Sequence, residues 1–159
     1  YFNVIVEQYQ YGKNQDIEYR RIRRAAHNAQ IELSKMISSL SAEPNPNPQL
    51  IHYAFRYLVY SHSQLSYVAA LGRQRQKIDD EQILQLLLRC QQIISQSVLE
   101  QSLPNPKLIE QTLQEIQSIT AHEHLSEKYI LVLKQITLLL ETLPELLTLK
   151  GKLLEQEMM

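Results

Sequence analysis

The chain has 159 residues, 44% of them hydrophobic and 21% charged, with a formal net charge of −1. That length can bury one good core without requiring a second domain, and a near-neutral total speaks against a broadly basic nucleic-acid binder. Three glycines, six prolines and abundant Leu, Ile, Gln, Glu and Ser suit helices joined by short turns, so an all-α class is expected. The single cysteine, Cys90, excludes an internal disulfide, fits a reducing compartment and reads as a small buried apolar residue on a helix.

In chain order, the first element covers residues 1–11. It opens YFNVIVEQY, with no initiator Met, basic n-region or small-residue cleavage site, so no signal peptide is read there and the chain looks excised from something longer. Phe2, Val4, Ile5 and Val6 would mark the exit from a membrane span or pack on the rest of the fold; packing is the favoured reading, and Gly12 breaks the helix. The second element, 15–42, contains EYRRIRRAAHNAQIELSKMISSL. Arg20, Arg21, Arg23 and Arg24 crowd its start, followed by an apolar stripe of Ile22, Ala26, Ala29, Leu33, Met36 and Leu40.

Asn47 as N-cap and Pro48 at the first helical position start a third element, 48–74. Its expected core seam is Ile51, Phe55, Leu58, His62, Leu65 and Ala69. Tyr53, Tyr57, Tyr60 and Tyr67 form a second stripe, suited to the margin of a core or to a protein interface. The fourth element, 79–101, has Asp79 as its expected N-cap and Ile83, Leu87, Cys90 and Ile94 as its seam. Asn105 and Pro106 open a fifth, 106–118, and the Thr120/Glu123 capping box opens a sixth, 121–149, with a late kink at Pro144. The apolar run from Tyr129 is interrupted by Lys134, Glu141, Pro144 and Glu145, short of a bilayer span.

Together these elements predict one domain over 1–159, an antiparallel up-and-down bundle of about five helices. Residues 1–14 would be a membrane-proximal lead-in, 15–74 a long helical hairpin, 79–149 the remaining helices and 150–159 a tail. Charge is polarised along the chain: residues 1–94 carry eleven basic against eight acidic side chains, or +3, and residues 95–159 carry five against nine, or −4. All eight arginines lie in the first part, a dipolar arrangement that suits orientation against a partner or surface.

Enzyme motifs are scarce. There is no glycine-rich phosphate loop, CxxC or HExxH, and His122 and His124, two residues apart, fall on different sides of a helix. No catalytic residue, metal or cofactor is expected. Counting from the turn of the predicted hairpin, His27 and His62 share a layer with Asn28 and Ser61, a polar cluster suited to fixing helix register.

Two stretches carry a family resemblance: EYRRIRRAAHNAQIELSKMISSLSAEP, residues 18–44, and AFRYLVYSHSQLSYVAALGRQR, residues 54–75. Tyr19, Arg20, Arg23, Arg24, Ala26, His27 and the exit Ser41-Ala42-Glu43-Pro44, then Phe55-Arg56, Ser61-His62, Leu65-Ser66-Tyr67 and Ala70-Leu71-Gly72, resemble the paired helices in the C-terminal cytoplasmic region of FUSC (fusaric-acid-resistance-like) membrane proteins of the YccS/YhfK type. The resemblance covers roughly the first half of the chain. It implies a cytoplasmic-side domain of a bacterial inner-membrane transporter or efflux protein, noncatalytic, supporting assembly or regulation. The implied partners are the membrane-embedded part of the same polypeptide, a second copy in a homo-oligomer, and anionic lipid headgroups met by Arg20, Arg21, Arg23 and Arg24. The alternative is a free-standing helical module docking an acidic protein or nucleic acid through the same arginines, against which the net charge and the acidic second half stand.

Overall fold

The computed structural model describes residues 1–12, 16–74, 76–122 and 124–158, which form six helices and no strand. They are α1 (Phe2–Tyr11), α2 (Asp16–Ser41), α3 (Pro48–Arg73), α4 (Glu81–Glu100), α5 (Pro106–His122) and α6 (Glu127–Glu157). The all-α class is as expected. α3 and α6 form the central pair. Asn47 meets Gln156, Arg56 pairs with Glu145 and Gln64 reaches Thr142, so one chain descends as the other climbs and the two helices are antiparallel. Ser61 to Gln30 and Tyr19 to Gly72 show the same sense for α2 and α3. α1 lies against α3 and α4, and α5 packs on α6.

The core is built where these helices converge. Leu71 of α3, Ile83, Leu86, Leu87 and Cys90 of α4, and Ile136, Leu139 and Leu140 of α6 are all buried. α1 contributes Phe2, Ile5, Val6 and Tyr9, so this short helix is part of the core. At ten residues it is too short to hold a helix by propensity alone, and its buried face stabilises it. Burial also pushes the Cys90 thiol well above its ordinary range. Since the thiolate is the reactive form, Cys90 should resist a water-soluble thiol reagent in the native protein, and its labelling rate should follow the unfolded fraction as urea is added. Rapid labelling without denaturant would show that α4 is not held in the core.

The α3 seam differs from the sequence pattern. Ala54, Val68, Leu71 and Gly72 are buried, whereas His62 is exposed and Phe55 is 45% exposed. A helix lying between α2 and α6 needs two contact faces, and a single apolar stripe cannot say which of them is the drier. On α2 the deeply buried residues are Tyr19 and Ile37; the predicted stripe is half-buried at Ile22, Ala26, Leu33 and Leu40 and exposed at Ala29 and Met36. That is the pattern of a peripheral helix with α3 as its main neighbour. In α4 the expected Ile83, Leu87 and Cys90 are buried and Ile94 is partly so.

Helix ends follow local chemistry with three corrections. Asn47 caps α3, its Oδ1 accepting from the Gln49 and Leu50 amides, and Asn105 accepts from Lys107 N at the start of α5. The α4 cap is Asp80 rather than Asp79: Asp80 Oδ1 accepts from Ile83 N at 3.1 Å. α5 runs on to His122, with Thr120 Oγ1 donating to Ile116 O inside it, and α6 starts at Glu127 behind Ser126, whose Oγ accepts from Tyr129 N. Glu123, the other half of the predicted capping box, lies outside the described residues. Finally, α6 continues through Pro144 to Glu157, so most of the predicted tail is helix. Pro144 cannot donate to the Leu140 carbonyl. In that turn Gln64 Nε2 of α3 donates to Leu139 O at 3.0 Å and Thr142 Oγ1 at 2.6 Å, clamping α6 to its partner.

Candidate functional site

The arginine cluster resolves into two kinds of residue. Arg21 donates through Nε and a terminal nitrogen to both oxygens of Glu18, at 2.9 and 2.6 Å, and Arg20 lies 3.9 Å from Asp16. The hydrogen bond from Arg21 holds the Glu18 carboxyl below its ordinary range, and the same bond raises Arg21. These exposed pairs sit within one or two turns of α2 and carry little stability. Arg23 and Arg24 form no ion pair among the described residues, and Arg23 lines a cavity between α2 and α3.

That cavity, of about 370 Å³, lies between α2 and α3. α2 contributes Tyr19, Arg23 and His27; α3 contributes His62, Ser66 and Arg73, and among the described residues no carboxylate lines it. Its base is made by a close approach: the Tyr19 phenol, 5% exposed, donates to Gly72 O at 3.5 Å and lies 3.2 Å from Tyr1 Oη. A Cβ on Gly72 would stand 2.6 Å from Tyr19 Oη, so glycine is what lets α2 approach α3 here.

His27 and His62 do come together, as the hairpin count predicts. They line this cavity and an adjoining apolar one of about 500 Å³ that includes Ile31, Leu58 and Val59. The remaining members of the predicted layer separate. Ser61 donates to Gln30 Oε1 at 3.0 Å, and both line a third cavity with Ala26, Ala29 and Gln64, while Asn28 is exposed and lines none of the three. The Nε2 atom of His27 is shielded from solvent and has no hydrogen-bond partner among the described residues, a cost of about 1–3 kcal/mol for a buried polar atom. The layer is therefore not a closed network that locks register.

The tyrosine stripe is half-buried throughout. Tyr53 Oη accepts from Gln49 Nε2 and its ring lies 5.1 Å from Lys152 Nζ of α6; Tyr67 packs on the core, and burial pushes the Tyr57 phenol upward. Tyr60 is half-buried as well. Arg73 escaped sequence reasoning although its signal was present: the count that pairs His27 with His62 sets Arg23 level with Ser66 and carries the start of α2 to the end of α3.

Among the described residues no group of three or more His, Cys, Asp or Glu side chains is arranged to hold a metal ion, and no helix is long and apolar enough to cross a membrane. A helical bundle with a basic interhelical cavity thus stands beside a sequence similar to a bacterial inner membrane protein. The chain is 33% identical over 147 residues, 92% of its length, to inner membrane protein YccS of Escherichia coli (strain K12). It is also 36% identical over 78 residues, 49% of its length, to an uncharacterized protein of Haemophilus influenzae. This is the YccS-type resemblance to FUSC proteins that the paired-helix motifs carry, extended from the first half of the chain to nearly all of it. The chain spans 20% of the length of the first relative and 11% of the second. No family model matches it, and no solved structure matches it significantly.

Proposed function

We propose that this chain is a noncatalytic cytoplasmic domain of an inner-membrane transporter and that it supports assembly of the whole protein through self-association. The observation that carries the reading is the similarity along nearly the whole chain to one fifth of an inner membrane protein. The membrane-embedded part of the same polypeptide and a second copy of this domain are its partners, and the arginine-bearing start of α2 faces anionic headgroups or an acidic neighbouring surface.

The self-association surface is the outer side of the α2–α3 hairpin. Ile31 and Val59, 52% and 62% exposed, line the apolar cavity beside His27 and His62, and Met36 and Phe55 are exposed on the same two helices. Such a patch, with polar residues around it, is typical of a surface covered by another protein. A second copy presents the same patch, so an isologous pair covers both at once. Sedimentation equilibrium should show a dimer that dissociates on dilution, and the Ile31→Asp, Val59→Asp double variant should weaken it about a hundredfold or more, as loss of central apolar anchors does. A fragment that stays monomeric at millimolar concentration, together with unchanged oligomeric state of the full-length protein after deletion of the domain, would defeat the proposal.

A further inference from the structure

We infer that the cavity between α2 and α3 is a binding site for a phosphate group carrying two negative charges, held between Arg23 and Arg73. Its walls bring Arg23 and His27 of α2 and His62 and Arg73 of α3 to one cavity, and among the described residues no carboxylate lines it to neutralise them. Arg23 forms no ion pair among the described residues, unlike Arg20 and Arg21 on the same helix, and neither does Arg73 at the other end of the hairpin. His27 and His62 stand on the walls of this cavity as well, His27 with its Nε2 atom turned away from solvent, so their rings report on what occupies it.

The donor set selects the ligand class. Each guanidinium presents a fork of N–H donors matched to a pair of oxygens, and the His62 imidazole stands on the same wall, whereas the Ser66 hydroxyl donates to His62 O within α3. Two fixed positive charges are balanced by one dianion, and a tetrahedral phosphate offers oxygens toward both helices where a planar monocarboxylate offers two. A volume of about 370 Å³ falls in the range of small-molecule sites, about 300–1,000 Å³, so the phosphate can bear a modest organic substituent. The group can be a soluble phosphate or the headgroup of an anionic lipid. This inference stands on the cavity itself and does not depend on the proposed transporter role.

The test titrates inorganic phosphate into the 159-residue chain while following the imidazole resonances of His27 and His62 by NMR, with chloride at matched ionic strength as control. A parallel arm measures co-sedimentation with vesicles containing phosphatidic acid. Saturable shifts of both histidines, at least about tenfold weaker in Arg23→Gln and in Arg73→Gln but unchanged in Lys107→Gln on α5, are expected in the phosphate arm for a soluble ligand. The same variant pattern in the vesicle arm alone assigns the site to a lipid headgroup. All three side chains are exposed, so the variants should melt with the parent chain, and circular dichroism checks this. Absence of binding in both arms, or equal weakening by Lys107→Gln, would overturn the inference.

Discussion

Tyr9→Ala is expected to destabilise the chain by about 3–5 kcal/mol, the usual cost of deleting a large buried aromatic side chain. Tyr9 is fully buried, and its hydroxyl donates to Leu71 O at 2.7 Å. Leu71 lies in the last turn of α3, where carbonyls lack an intrahelical donor, so the phenol acts as a cap supplied from another helix. The Tyr9 carbonyl accepts from Ile78 N at 2.8 Å, tying the connection between α3 and α4 to the same residue. Tyr9→Phe keeps the ring and loses only the hydroxyl, with an expected cost of about 1 kcal/mol. Urea unfolding followed by circular dichroism separates the two variants. Since a domain of this size is held by about 5–15 kcal/mol, the alanine variant loses about a fifth of that or more. A cost below about 1 kcal/mol for Tyr9→Ala would instead make α1 the loosely attached lead-in that its position suggests.

Gly72→Ala should act through one contact. The new methyl would lie 2.6 Å from Tyr19 Oη, with Tyr1 Oη at 3.2 Å and Ile5 Cδ1 at 3.3 Å. Overpacking of this kind costs about 1–3 kcal/mol, whereas alanine in place of glycine within a helix returns about 1 kcal/mol. A net loss of up to about 2 kcal/mol is therefore expected. In a Tyr19→Phe background the nearest atom is gone, and the same substitution should become close to neutral. The double-mutant cycle reads that difference directly as a coupling energy. Additive effects would show that the Tyr19 phenol moves aside freely and that Gly72 does not set the distance between α2 and α3.

Much of the fold is legible from local chemistry. Asn-Pro pairs mark two helix starts because a side-chain acceptor and a residue without an N–H are what a first turn requires, and the α4 seam is readable because that helix has one dominant buried face. The misplaced starts of α4 and α6 share a cause: Asp79 and Asp80, and Thr120 and Ser126, offer the same acceptor chemistry, and backbone direction decides which of them turns inward. The candidate site was half legible. Equal distances from a hairpin turn bring His27 and His62 together, whereas the placing of Ser61 against Gln30 follows from rotation of α3 about its own axis, which sequence spacing does not report.

The sequence by itself determined the all-α class, the approximate limits of most helices, the hairpin that joins α2 to α3 and the resemblance to an inner membrane protein, because propensity, capping and periodicity are local and the motifs are linear; the expected bundle of about five helices has six, since α1 joins the core. Only the tertiary structure decided that α3 faces two neighbours, that α1 belongs to the core and that Arg23 and Arg73 share a cavity while Arg20 and Arg21 pair within their own helix. Those outcomes depend on how helices rotate and approach to bury the most apolar surface without voids, a condition set by all six packing at once.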